Sequence, residues 1–199
     1  MWPKIKAAYL LVLIWVIFLT GCKSQTTDSV ARILWPDLND PYIQLTRTWT
    51  RKGVIYSGID TEIETYATLK SLDWRKAYVQ KWAKVYSLSP GEEKKLLADE
   101  LKAAQKETEI FLTLYSNKPE QAELKFNSPL WSVFLELGGK KIYPLEIRPL
   151  DWPYAKLKTF FPYVHRWQKT YILRFNQALE ASGARLTLSG PVGKVSLEW

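Results

Sequence analysis

The chain has 199 residues, 47% hydrophobic and 14% aromatic, and its 28 Lys and Arg against 20 Asp and Glu leave a net charge of +8. That length fits one domain with a core large enough to fold alone. The positive charge is spread along the chain, so the dense basic arm of a nucleic-acid binder is missing. One cysteine and one histidine exclude a disulfide framework and the paired ligands of a typical zinc site.

In chain order, Lys4 and Lys6 come first, then an uncharged apolar run from Ala7 to Leu19, then Leu19-Thr20-Gly21-Cys22. A basic start, a short apolar stretch and small residues at a cut describe a secretory signal. The apolar run has 13 residues, short of the roughly 20 that span a bilayer. The four residues ending at Cys22 resemble the lipobox of bacterial lipoprotein precursors, Leu-x-Gly/Ala-Cys. The resemblance implies cleavage before Cys22, a thioether-linked diacylglycerol on its sulfur and a further acyl chain, such as palmitate, on its new amine. Each buried CH₂ contributes about 0.8 kcal/mol, so two or three chains on one cysteine hold a protein stably at a membrane. Lys23 stands where an Asp commonly signals inner-membrane retention in two-membrane bacteria, which points to the periplasmic face of the outer membrane.

The expected organisation is a signal peptide over residues 1–21, a lipidated N-terminus and polar tether over 22–32, and a single β-rich domain over 33–199. Loss of Lys4 and Lys6 takes the net charge from +8 to +6. An exported protein of that charge favours anionic surfaces: phospholipid head groups, lipopolysaccharide or wall polymers.

Within the domain, Trp35-Pro36 and Asp40-Pro41 make residues 33–41 an irregular lead-in. Ile59, Thr61, Ile63, Thr65, Ala67 and Leu69 alternate with polar residues and predict a half-buried strand, with Gly53 and Gly58 marking a turn or bulge before it. Trp74, Ala77, Tyr78, Trp82 and Val85 then fall on one helical face, with Ser71 or Asp73 as cap. Ser89-Pro90-Gly91-Glu92 is a capping box that opens a second helix with Leu96, Leu97, Leu101 and Ala104 on its apolar side. The two together predict a helical hairpin over about residues 72–106.

From Glu107 the period returns to two. Ile110, Leu112 and Leu114 form one strand face, and Trp131, Val133, Leu135 and Leu137 another. Gly138-Gly139 predicts a hairpin whose return runs from Ile142 to Ile147, an edge strand because it holds Pro144. Residues 149–163 carry three prolines and read as a crossing loop. Tyr171, Leu173 and Phe175 start a further strand. Leu186 and Leu188, then Val195, Leu197 and Trp199, flank a turn at Gly190-Pro191-Val192-Gly193. About seven short strands predict a mainly β, α+β fold: an antiparallel two-sheet sandwich, immunoglobulin-like in general architecture, with an inserted helical hairpin. The alternative is an open antiparallel sheet with helices on one face.

The chemical inventory is thin. His165 has no Gly-x-Ser-x-Gly nucleophile elbow to serve, and it sits among Phe161, Pro162, Tyr163, Arg166 and Trp167. Phosphate-cradling glycine motifs are missing. Asp60, Glu62 and Glu64 point from one strand face, as calcium ligands, an acid and base for glycoside cleavage, or simply a solvated face. Trp74, Tyr78 and Trp82 beside Arg75, Lys76, Lys81 and Lys84 are either an interfacial membrane helix or a stripe packed on the sheet. Trp35, Trp152 and Trp167 lie in loop-like segments and are, with His165, the candidate surface contacts. The expected function is a non-enzymatic, lipid-anchored envelope protein that binds an envelope protein or polysaccharide or plays a structural part. It uses no cofactor, metal or nucleic acid. The alternative is a carboxylate-based glycan hydrolase.

Overall fold

The computed structural model describes Trp35, residues 39–178 and residues 183–199. Cys22, the apolar run and the tether lie outside the described residues. The chain divides into two compact units, Met1–Pro36 and Asp37–Trp199.

The second unit is a two-sheet sandwich with a helical layer on one sheet. The large sheet takes β1 (Thr50–Ser57), β2 (Asp60–Leu69), β3 (Thr108–Ser116), β7 (Lys169–Phe175) and β6 (Glu146–Pro149) in the order β1-β2-β3-β7-β6. The small sheet takes β5 (Lys140–Ile142), β4 (Ser132–Leu137), β8 (Arg185–Gly190) and β9 (Gly193–Glu198) in the order β5-β4-β8-β9. All pairs are antiparallel. The helices are α1 (Pro41–Thr48), α2 (Leu72–Tyr86), α3 (Pro90–Ala104) and α4 (Tyr154–Phe160).

Between the sheets lie the residues that the alternation marks. Ile63, Ala67, Leu69, Ile110, Leu112, Leu114, Tyr171, Leu173 and Phe175 face Trp131, Val133, Leu135, Leu186, Leu188, Val195 and Leu197. The sandwich closes along β1 and β9. A methyl group on Gly53 would lie 2.1 Å from Val195 Cγ2 and 3.1 Å from Leu197 Cδ2, so only glycine fits there. Arg51 Nε donates to the Glu198 carbonyl, and Trp199 Nε1 donates to the Trp49 carbonyl at 2.7 Å.

The second face of the large sheet is also buried, because aromatic side chains from the helical layer cover it. Phe161 stacks on Phe111 with centroids 3.5 Å apart, and Trp74 stacks on Phe161 at 5.8 Å. Tyr163 stacks on Tyr66 at 5.1 Å and shares a hydrogen bond with Thr68. Thr68 pairs in turn with Thr50 at 2.7 Å, and Thr50 donates to the Thr46 carbonyl at 2.6 Å. Burial in this layer pushes the Tyr163 and Tyr78 hydroxyls well above their ordinary pKa. Trp74 and Tyr78 therefore pack on protein, and Trp82 is half-buried beside them.

The hairpin caps form as the sequence predicts. Ser71 Oγ accepts from the Trp74 N–H at 3.2 Å, and the Ser89–Glu92 capping box is complete. Helix α3 has no buried residue, so its attachment leans on a charge network as well as on its half-buried leucines. Arg75 is 1% exposed; its guanidinium donates to the Lys70 carbonyl at 2.9 Å, pairs with Glu100 of α3 and lies 3.8 Å from Glu109 of β3. Burial alone would raise the Glu109 carboxyl, but Lys70, Arg75 and Arg148 outweigh it and the net shift is downward.

Several local expectations are corrected. Residue Gly53 lies inside strand β1; the turn is at Gly58, whose φ of +63° suits glycine. Ile59 is 98% exposed at that turn and β2 begins one residue later. Helix α1 starts within the supposed irregular lead-in: Asp40 caps it, accepting from the Tyr42 N–H at 2.9 Å, and Pro41 occupies its first turn. The return strand expected over 142–147 splits around Pro144. Lys140–Ile142 stays in the small sheet, and Glu146–Pro149 crosses to the large one, since proline cannot continue a ladder. Residues 154–160 of the crossing loop are helical.

Substituting Arg75 by Ala should strand Glu100 and Glu109 and cost about 3–5 kcal/mol, as loss of one partner of a buried ion pair does. Chemical denaturation should show a lowered midpoint, and amide exchange should quicken first across residues 90–104. A midpoint equal to that of the unsubstituted protein would mean that the leucines alone hold the hairpin.

Candidate functional site

A cleft of about 690 Å³ opens where the chain leaves β6, runs through α4 and re-enters the large sheet at β7. Trp152, Tyr154, His165, Arg166, Gln168 and Lys169 line it, with the segment 123–125 forming the opposite wall. Short hydrogen bonds fix each wall. The Leu150 N–H donates to the Thr170 carbonyl at 2.9 Å, and Thr170 Oγ1 donates to the Leu150 carbonyl at 2.6 Å, pinning the 149–153 segment to β7. Tyr171 Oη donates to the Ala122 carbonyl at 2.9 Å and accepts from the Leu124 N–H at 3.1 Å, holding the far wall.

The turn before β7 carries the polar groups. The Gln168 N–H donates to the His165 carbonyl at 3.1 Å, and Gln168 Oε1 accepts from the His165 N–H at 3.1 Å. His165 Nδ1 accepts from the Trp167 N–H at 3.3 Å. That bond assigns the ring proton to Nε2, which lies 3.4 Å from Glu64 Oε1 on the large sheet. The ring also meets Tyr115 edge-on at 5.4 Å. The bond from His165, assisted by Lys52 at 2.7 Å, holds the Glu64 carboxyl below its ordinary pKa despite partial burial.

The rim mixes cations and rings. Arg166 lies over the Tyr154 ring at 4.6 Å. Lys156 sits 4.1 Å from the Trp152 centroid and 4.5 Å from that of Trp82, so Trp152 links the cleft to the aromatic cluster of Trp82, Tyr86 and Phe160. Lys169 pairs with Glu123 at 2.9 Å and depresses its carboxyl.

Of the sequence candidates, the fold brings Trp152 and His165 to this one cleft. Trp167 is 79% exposed beside it and is not part of its wall. Trp35, expected to be an exposed ring, is buried, because an indole in an irregular segment still gains by leaving water. Trp152 is likewise half-buried rather than exposed. The acidic row on β2 does not act together. Asp60 is exposed, Glu62 accepts from Gln121 and Lys118 at 3.2 Å each, and Glu64 is taken up by His165 and Lys52. The described residues hold no group of three or more His, Cys, Asp or Glu arranged for a metal ion. Tyr154, Arg166 and Gln168 carry no signal in the sequence; only the spacing of the turn before β7 sets them around one cleft.

Comparisons with protein-family models, curated proteins and solved structures give no match.

The Glu64 pair has a pH signature. Its folded pKa lies below the ordinary value of 4.5, so its contribution to stability is full above that value and is lost as pH falls through the folded pKa. Glu64→Gln should therefore unfold at a lower temperature than the parent at about pH 7, and the gap should close as pH falls below the ordinary carboxyl range and through the folded pKa. A gap that persists in acid would show that packing, and not charge, holds this side chain.

Proposed function

We propose that this chain is a lipid-anchored cell-envelope protein, held by acyl chains on Cys22 at the periplasmic face of an outer membrane, whose folded domain binds an envelope polymer or protein in the cleft by Trp152 and His165. The single observation that carries the binding role is the cleft itself: concave, partly aromatic and ringed by fixed polar groups, as ligand sites are. The net charge of +6 that remains once Lys4 and Lys6 leave the chain's +8 suits the anionic surfaces of an envelope. Among the described residues no helix is long and apolar enough to cross a membrane, and the proposed attachment requires none.

Binding without catalysis is favoured over glycan hydrolysis by the state of the carboxyls. A glycosidase acid needs a raised pKa. Glu62, Glu64, Glu109 and Glu123 are all displaced downward. Both ring nitrogens of His165 are already engaged within the protein, at Trp167 and Glu64, which leaves it poorly placed as a general base.

Mass spectrometry of the native protein should give an N-terminus at Cys22 carrying diacylglycerol, and the protein should sediment with membranes. Cys22→Ala should abolish both. A mature N-terminus elsewhere without lipid would overturn the anchoring.

A further inference from the structure

Three aromatic rings converge on one ammonium group. Lys156 Nζ lies 4.1 Å from the Trp152 ring centroid, 4.5 Å from that of Trp82 and 5.6 Å from that of Tyr86. Among the described residues no carboxylate pairs with Lys156, so the rings are what holds its charge. The walls are inclined to one another. Trp82 and Trp152 meet at 54° with centroids 5.8 Å apart, and Trp82 and Tyr86 at 39° and 4.7 Å. Trp82 and Tyr86 stand one turn apart on α2, and Trp152 comes from the segment before α4. Phe160 is fully buried and meets all three rings, at 4.9 Å from Trp82, 6.4 Å from Tyr86 and 6.2 Å from Trp152. The cage is therefore built on the interior and does not need Lys156 to keep its shape. Tyr86 is 45% exposed, so the cage opens to solvent. It also lies at the last turn of α2, where the helix dipole favours a cation.

A lysine is a poor occupant of such a place. Its ammonium is compact and strongly hydrated and carries three N–H donors. Ring faces repay little of the water that those donors give up. A quaternary ammonium has no N–H to satisfy and spreads its charge over methyl groups, which is the cation that aromatic cages suit. Lys156 reaches the rings on a flexible four-carbon stem from a surface helix and is only half-buried, so its head can swing out to water.

We propose that Trp82, Tyr86 and Trp152 form a binding site for a quaternary ammonium group, and that Lys156 fills it as an internal stand-in until a ligand displaces it. The site takes the trimethylammonium of a choline-like molecule, free or as a lipid headgroup. Lys156 lowers the apparent affinity by the fraction of time it occupies the cage. This site goes beyond the reading of the cleft, with which it shares only Trp152. It depends on neither the cleft's ligand nor the state of Cys22.

The test is calorimetric titration of the full chain, in micelles of an uncharged maltoside detergent, with choline. Two counterparts accompany it: 3,3-dimethylbutan-1-ol, which has the same shape without the charge, and ethanolamine, which has the charge on a primary ammonium. Choline should bind, and each counterpart should bind about tenfold more weakly or not at all. Lys156→Ala keeps a good helix former in α4 and leaves the cage open, so choline should bind it several-fold more tightly than the parent. In that open variant, Tyr86→Leu or Trp152→Leu removes one ring face from a wall that is not fully buried and should lower the affinity by about tenfold. Phosphocholine separates the two sources: tighter binding than choline supports a lipid headgroup, and weaker binding supports a free cation. No binding of choline to Lys156→Ala, equal binding of the neutral alcohol or of ethanolamine, or full affinity in both ring variants would each overturn the site. Equal affinity in the parent and in Lys156→Ala would overturn the role given to Lys156.

Discussion

The pair β2–β3 is buried on both faces, and the rest of the structure answers to that. One face carries Ile63, Ala67, Leu69, Ile110, Leu112 and Leu114 and is covered by the small sheet. The other carries Tyr66, Thr68 and Phe111, also buried, and no strand remains to cover them. A sheet buried on two faces needs a third layer. Here the layer is α1, α2 and α4 with the aromatic run 160–163. Its polar atoms are satisfied on the spot: Tyr42 Oη donates to the Phe160 carbonyl at 2.8 Å and Trp74 Nε1 to Thr46 Oγ1 at 3.0 Å. The candidate cleft is a by-product of that covering. The chain must leave β6, lay Phe160, Phe161 and Tyr163 on the sheet, and return to β7, and the space beneath the return is the cleft.

Attachment of the hairpin obeys a different physics from the sandwich core. The core is held by area removed from water. Helix α3 reaches the body through half-buried leucines and through Arg75, whose three partners belong to three segments: Lys70 after β2, Glu100 in α3 and Glu109 in β3. A buried guanidinium of this kind adds less net stability than its geometry suggests, because desolvation offsets much of the attraction. It does fix the hairpin's position, since no other placement satisfies all three groups.

How far the sequence could be read depended on whether the decisive contacts were local. The capping box at Ser89, the Ser71 cap, the Gly138-Gly139 turn and the period-two faces of β3, β4, β7, β8 and β9 are set by residues within a few positions of each other, and all were legible. The helix at Pro41 was legible in principle, since Asp40-Pro41 is a cap followed by a first-turn proline; two nearby prolines pulled the reading toward a loop. The split at Pro144 was not legible, because alternation cannot say to which sheet a strand belongs. Nor was the second buried face: Tyr66 and Thr68 look like solvent-facing residues until Tyr163, about a hundred positions away, is placed on them. The cleft has the same character. His165 and Trp152 stood out by rarity and ring size, whereas nothing local marks Gln168 as the side chain that accepts from the His165 N–H.

The seam at Gly53 has a consequence for how copies of this protein meet. At that flank the edge strands β1 and β9 are each paired on one side only, but they lie against each other, tied by Arg51 at the Glu198 carbonyl and by Trp199 at the Trp49 carbonyl. The opposite flank ends in β5 and β6, each paired on one side only. There β5 is three residues long and carries Lys140 and Lys141, and β6 ends at Pro149. Shortness, like charge and a missing donor are devices that stop strands from adding to one another. A chain held at high density on a surface would collide flank to flank, and this one presents one flank whose two edges close on each other and one that is blunted, an arrangement that disfavours strand addition.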